Sequence, residues 1–150
     1  MATDERWVFG HALNVENPQV GKFERNTLYS KLTLVSGTPL QDNWVLAAVP
    51  APNVTEGWRV ARVMVRVATA GQAGFFDKVG VRDGERLVHS FEDLNIGPQS
   101  GWVTLSFDLP PSPAIPIKFG LGVSIHMSSV PTALGPHEFR FVSVGATFVR

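Results

Sequence analysis

Residues 117–127, IKFGLGVSIHM, decide the architecture. Ile117, Phe119, Leu121, Val123, Ile125 and Met127 alternate without interruption with Lys118, Gly120, Gly122, Ser124 and His126. A period of two over that length is the pattern of a β-strand with one buried face. Each large apolar side chain that leaves water contributes about 1.5–3 kcal/mol. Six on one side therefore hold the register, because a slip of one residue would turn all of them to solvent.

The pattern recurs along the chain. In 102–109, Val103, Leu105, Phe107 and Leu109 oppose Trp102, Thr104, Ser106 and Asp108. In 58–69, Ala61, Val63, Val65 and Val67 face one way, and Trp58, Val60, Arg62, Met64 and Arg66 face the other. A first strand is expected over 7–15, with Trp7, Phe9, His11, Leu13 and Val15 on one face. Further strands are expected near 20–29, 31–35, 43–49, 75–82, 85–91 and 138–149. Turn chemistry separates them. Ser36-Gly37-Thr38-Pro39 reads as a turn, and Asp83-Gly84 is a strong hairpin signal because it supplies positive φ at low cost. Pro110, Pro111, Pro113 and Pro116 make a stiff connector that cannot enter a central ladder. A loop holds Pro131, Gly135 and Pro136. About ten short strands with no convincing helix predict an all-β fold, an antiparallel, jelly-roll-like β-sandwich, as a single domain over 1–150.

Composition narrows the function. Apolar residues make up 44% of 150 residues, which is ordinary for a globular domain. Thirteen basic and thirteen acidic residues cancel, so no charge excess draws nucleic acid or an anionic membrane. The absence of cysteine excludes disulfides, thiolate catalysis and Cys-ligated zinc. The opening MATDERWV carries charges where a signal peptide needs an apolar run, and no stretch is long enough for a membrane helix. A soluble, cytoplasmic protein is the expectation.

Several motifs, in order, resemble a family of uncharacterised bacterial β-sandwich proteins, a domain of unknown function. They are Trp7-Val8-Phe9-Gly10, Asn43-Trp44 followed by Pro50-Ala51-Pro52, Val79-Gly80-Val81-Arg82-Asp83-Gly84, Gly120-Leu121-Gly122-Val123-Ser124, and the closing run 141–148. The resemblance spans nearly the whole chain and implies a β-sandwich without supplying an activity. Histidine is common in that pattern where this chain has Phe9 and Leu46, so no chemistry of those histidines carries over.

Catalytic signals are thin. His11, on the expected apolar face of the first strand, reads as a core histidine with backbone partners. His89, His126 and His137 could join Asp77, Asp83 or Glu85 at a metal, but no two histidines stand at i, i+2 or i, i+4, and no metal or other cofactor is expected. No Gly-x-Ser-x-Gly elbow is present. Gly120-Leu121-Gly122 lies in a strand with no helix after it, so it is no dinucleotide motif; glycines there allow close approach of a backbone or a ring.

The tryptophans carry the sharpest hint. Trp102 falls on the polar side of its strand, and Trp58 falls with Arg62 and Arg66. An outward tryptophan marks a contact surface for a sugar, an aromatic group or a partner subunit. Against this stands a simpler arrangement, in which loops or arginines cover the rings and acidic side chains across the strand pair Arg62 and Arg66. The expected ligand or interface residues are Trp58, Trp102, Arg62, Arg66 and His126. The favoured reading is a non-catalytic module that binds a small molecule or glycan or assembles with copies of itself. Its flat contact would be the small-residue face of Gly120, Gly122 and Ser124. The alternative is a small-molecule enzyme, a hydrolase or cyclase with His11, His126 or an acidic loop residue in a β cavity.

Overall fold

Alternating apolar residues settle this chain into twelve strands in a computed structural model that describes residues 1–35, 41–70, 74–112, 114–129 and 136–150. In chain order they are β1 Thr3–Phe9, β2 Asn14–Val15, β3 Lys22–Arg25, β4 Ser30–Val35, β5 Asp42–Val49, β6 Arg59–Ala70, β7 Gly74–Asp83, β8 Arg86–Phe91, β9 Val103–Asp108, β10 Ile115–Pro116, β11 Leu121–Ser129 and β12 Pro136–Val149. Helix among the described residues amounts to two short 3-10 turns, Gly10–Ala12 and Val54–Glu56. Among the described residues no helix is long and apolar enough to cross a membrane. The expected turn at 36–39, Pro113 of the connector, and 131–135 of the last loop lie outside the described residues.

The strands form two antiparallel sheets. One has seven strands in the order β10-β6-β12-β4-β3, with β1 paired to β12 and β9 paired to β6; the other runs β2-β5-β11-β7-β8. This is the sandwich that the alternation predicts. Between the sheets lie Val63, Val65 and Val67 of β6, Phe139 and Phe141 of β12, Val45 and Ala47 of β5, and Val123, Ile125 and Met127 of β11. Phe76 of β7 meets two rings of the opposite sheet edge-on, Phe139 at 5.1 Å and Phe141 at 6.3 Å between centroids. The Asp83-Gly84 hairpin forms as expected: Asp83 pairs with Arg86, and Gly84 takes φ 59°.

Three expectations fail, each for a local reason. The opening alternation does not run through. Ile117 is buried, but Phe119 is 84% exposed and β11 begins only at Leu121. The cause is Asp83, whose buried carboxylate accepts the amide protons of Lys118 at 2.9 Å and Phe119 at 2.7 Å. Gly120 then turns the chain at φ 130°, a conformation that favours glycine. The strand expected over 7–15 is also broken. β1 ends at Phe9, which is 73% exposed, and the chain crosses to the other sheet through Gly10. A Cβ on Gly10 would lie 2.1 Å from the carbonyl oxygen of Phe141, so only glycine fits the crossing. His11 therefore lies exposed on the 3-10 turn, bonded to the carbonyl of Asn26, and is not a core histidine.

The third departure is parity. Val60 pairs with Phe148 and Arg62 with Thr147, which leaves Ala61 as an extra residue; a second extra residue, Val142, separates Phe141 from Ser143. Each bulge restarts the alternation. Val60, expected to face outward, is buried in the core with Val63 as a result.

Candidate functional site

The outer face of the five-stranded sheet carries the most developed polar and aromatic cluster. On β5, Asn43, Val45, Ala47 and Val49 point inward, which leaves Asp42, Trp44, Leu46 and Ala48 outside. Antiparallel pairing sets Trp44 opposite His126 of β11, and His126 opposite Lys78 of β7. The rings of Trp44 and His126 lie 4.7 Å apart, tilted by 46°.

A bulge supplies the next contact. Lys78 pairs with His126 and Phe76 with Met127, so Asp77 is the extra residue of β7. Phe76 and Val79 are both buried, and Asp77 and Lys78 are both turned out between them. Asp77 accepts a hydrogen bond from Nδ1 of His126 and another from the Ser128 hydroxyl at 3.1 Å. Nε2 of His126 stands 3.7 Å from Asp42. With its side chain only 12% exposed, His126 is clamped between two carboxylates and an indole. Beyond it, Lys78 pairs with Glu92 at 3.3 Å. The Ser90 hydroxyl first, and Lys78 after it, hold the Glu92 carboxyl below its ordinary pKa.

Beside Trp44 lies an open groove of about 470 Å³, lined by Glu16, Asn17, Val20, Asp42, Asn43 and Trp44. Asn43 builds its far wall. The residue is 2% exposed, and its side chain makes four bonds, all to backbone. The amide group donates to the carbonyls of Asn17 at 2.7 Å and Val20 at 2.8 Å, and its oxygen accepts from the amides of Asn17 at 3.1 Å and Trp44 at 2.9 Å. A fifth link runs from the Glu16 amide to the Trp44 carbonyl at 3.0 Å. The loop is thus tied to the strand that carries Trp44.

The arrangement is not that of a nucleophilic triad. In a nucleophilic triad the hydroxyl must reach the histidine nitrogen that faces away from the carboxylate. Here Ser128 bonds Asp77 instead, at the wrong end of the pair. The other histidines stand apart. His89 packs on Phe91 at 4.7 Å, and burial alone pushes the pKa of His137 down. Among the described residues no three His, Asp or Glu side chains gather as metal ligands would.

Of the five residues singled out from the sequence, only His126 belongs to this cluster. Trp58 is half-buried against the core at the start of β6, donates to Glu56 at 3.1 Å and lies under the guanidinium of Arg150 at 4.9 Å. Trp102 remains 41% exposed and leans on Tyr29 at 5.7 Å. Arg62 pairs across the strands with Asp108 at 2.5 Å, and Arg66 donates to the Thr104 hydroxyl at 3.3 Å. These four belong to the side of the seven-stranded sheet. Of the small-residue face, Ser124 is buried, and a Cβ added to Gly122 would lie 3.4 Å from the Cβ of Arg82. Sequence reasoning missed Trp44, although alternation over 43–49 already turns it outward.

No family model matches the chain, and no curated protein does. Solved structures do. One is a low-affinity xylan-binding module of carbohydrate-binding family 86 from Roseburia intestinalis, 14% identical over 95% of this chain and 94% of that one, with a TM-score of 0.56. Another is a variant of a family 29 carbohydrate-binding module in complex with mannohexaose, 12% identical over 97% and 93%, with a TM-score of 0.54. A third is the C-terminal family 6 module of a marine laminarinase from Zobellia galactanivorans, 10% identical over 98% and 100%, with a TM-score of 0.51. At such identities the likeness is one of fold. It supports the sandwich half of the family resemblance in the sequence and assigns the chain to no family.

Proposed function

We propose that this chain is a non-catalytic glycan-binding module whose site is the groove beside Trp44. The observation that carries the reading is Trp44 itself, an indole on the outer face of the sheet, braced by His126 and bordered by the carboxylates of Glu16 and Asp42. A sugar ring presents an apolar C–H face and a rim of hydroxyl groups. The indole takes the first, and carboxylates accept hydrogen bonds from the second. Support also comes from the fold, which is shared with modules described as xylan-binding or seen with mannohexaose.

The test is titration calorimetry with xylo- and manno-oligosaccharides. A central aromatic anchor is worth about 2 kcal/mol or more, so Trp44→Ala should weaken binding roughly 30-fold or beyond it. Trp102→Ala should leave it unchanged. Loss with Trp102→Ala and not with Trp44→Ala would move the site to the opposite sheet.

Self-assembly is the second reading. Phe9 at 73% exposure and Trp102 at 41% favour it, both on the side of the seven-stranded sheet. Light scattering at high micromolar concentration should then report a dimer or larger species that Trp102→Glu dissociates; a wild-type monomer would rule the reading out.

A further inference from the structure

We propose that the edge of the sandwich around Phe119 is a second binding site, one that takes an anionic sugar by stacking it on the Phe119 ring and pairing its carboxylate with Arg86 and Lys118. The choice of a saccharide rests on the reading of the chain as a glycan-binding module. The site itself rests on separate residues.

Three observations carry it. The first is how Phe119 is held. The residue is 84% exposed, yet its backbone is fixed by the carboxylate of the buried Asp83, which accepts from the amides of Lys118 and Phe119, and by the Gly84 amide, which donates to the Gly120 carbonyl at 2.9 Å. A buried carboxylate satisfied by two amides is a rigid anchor. The exposure of the ring is therefore built in and is not the fraying of a loop.

The second observation is the space that borders the ring. A depression of about 420 Å³ lies against Asp83, Arg86, Val88, Ile115, Pro116, Lys118 and Phe119. A second of about 350 Å³, also lined by Phe119, reaches Gly84, Glu85 and Arg86. The first offers apolar walls on Val88, Ile115 and Pro116, with cationic groups at the rim.

The third is charge. Among the described residues neither Arg86 nor Lys118 has an ion-pair or hydrogen-bond partner for its charged group. Nearby, Arg82 donates to the Glu85 carbonyl at 3.0 Å. The facing carboxylates are Asp83, with one oxygen already engaged by the two amides, and Glu85, which lines only the smaller depression. The larger depression thus sets two unspent cations against the single carboxylate of Asp83, beside an aromatic ring, and keeps a net positive charge. That combination selects a ring bearing negative charge. The groove beside Trp44, bordered by Glu16 and Asp42, would repel the same ligand.

The experiment titrates the whole chain at low ionic strength with oligogalacturonate and oligomannuronate, and with the methyl ester of each, which keeps the ring and removes the charge. At least one acid should bind, and its ester should bind about tenfold more weakly, the scale of one lost charge-assisted contact. Phe119→Ala and Arg86→Gln should each weaken the acid by about tenfold, while Trp44→Ala leaves it unchanged. All are surface positions, and an unchanged thermal midpoint confirms folding. Equal binding of acid and ester, binding that survives Phe119→Ala, or no binding of either acid would overturn the proposal. Neutral oligosaccharides that bind through Trp44 while neither acid binds would sink this site alone. Failure of neutral and acidic sugars together would sink both readings.

Discussion

Phe141→Ala is expected to lower the free energy of unfolding by about 3–5 kcal/mol, a large share of what a domain of this size has. Phe141 is fully buried, and its ring meets Phe76, which comes from the other sheet. Truncation opens a void between two hydrogen-bonded ladders, and neither can sag into it without breaking its own pairing. The void therefore persists, and the cavity adds to the lost transfer energy. Phe141→Leu keeps most of the volume and should lose about 1.5 kcal/mol or less. Urea denaturation reads both as shifts of the midpoint at constant slope. A loss below about 1 kcal/mol for the alanine variant would mean that the sheets do not share this core.

Asn43→Ala should cost about 2–4 kcal/mol and abolish the proposed glycan binding with it, because each buried backbone group stripped of its partner costs about 1–3 kcal/mol and water at the rim repairs part of the damage. Four backbone groups lose the amide that ties them, those of Asn17, Val20 and Trp44. Hydrogen exchange separates this from general unfolding. The Asn17 amide should exchange far faster in the variant at denaturant concentrations where the β6 and β12 amides remain protected. Unchanged exchange at Asn17 would show that the loop is held by something else.

What was legible in the sequence was whatever depends on neighbours in the chain. The alternation over 103–109 and 121–127 and the Asp83-Gly84 hairpin are local, and they appear in the structure where the pattern puts them. What stayed hidden depends on distant partners. Phe119 satisfies the period of two as well as Leu121 does; only a carboxylate brought near it by the β7–β8 hairpin turns it out. The bulges at Ala61, Asp77 and Val142 have no signature of their own, and each inverts the parity after it. The candidate site suffers most from this. Trp44, Asp77 and His126 lie on three strands, and their meeting depends on strand order and on one bulge, neither of which composition or spacing encodes.

Toward the loop it restrains, Asn43 bonds only main-chain atoms. The outward groups of Glu16 and Val20 are consequently exempt from the task of keeping the rim in place. Selection can exchange them freely, retuning which ligand is preferred on an unchanged frame, in the way a tool-holder accepts different bits.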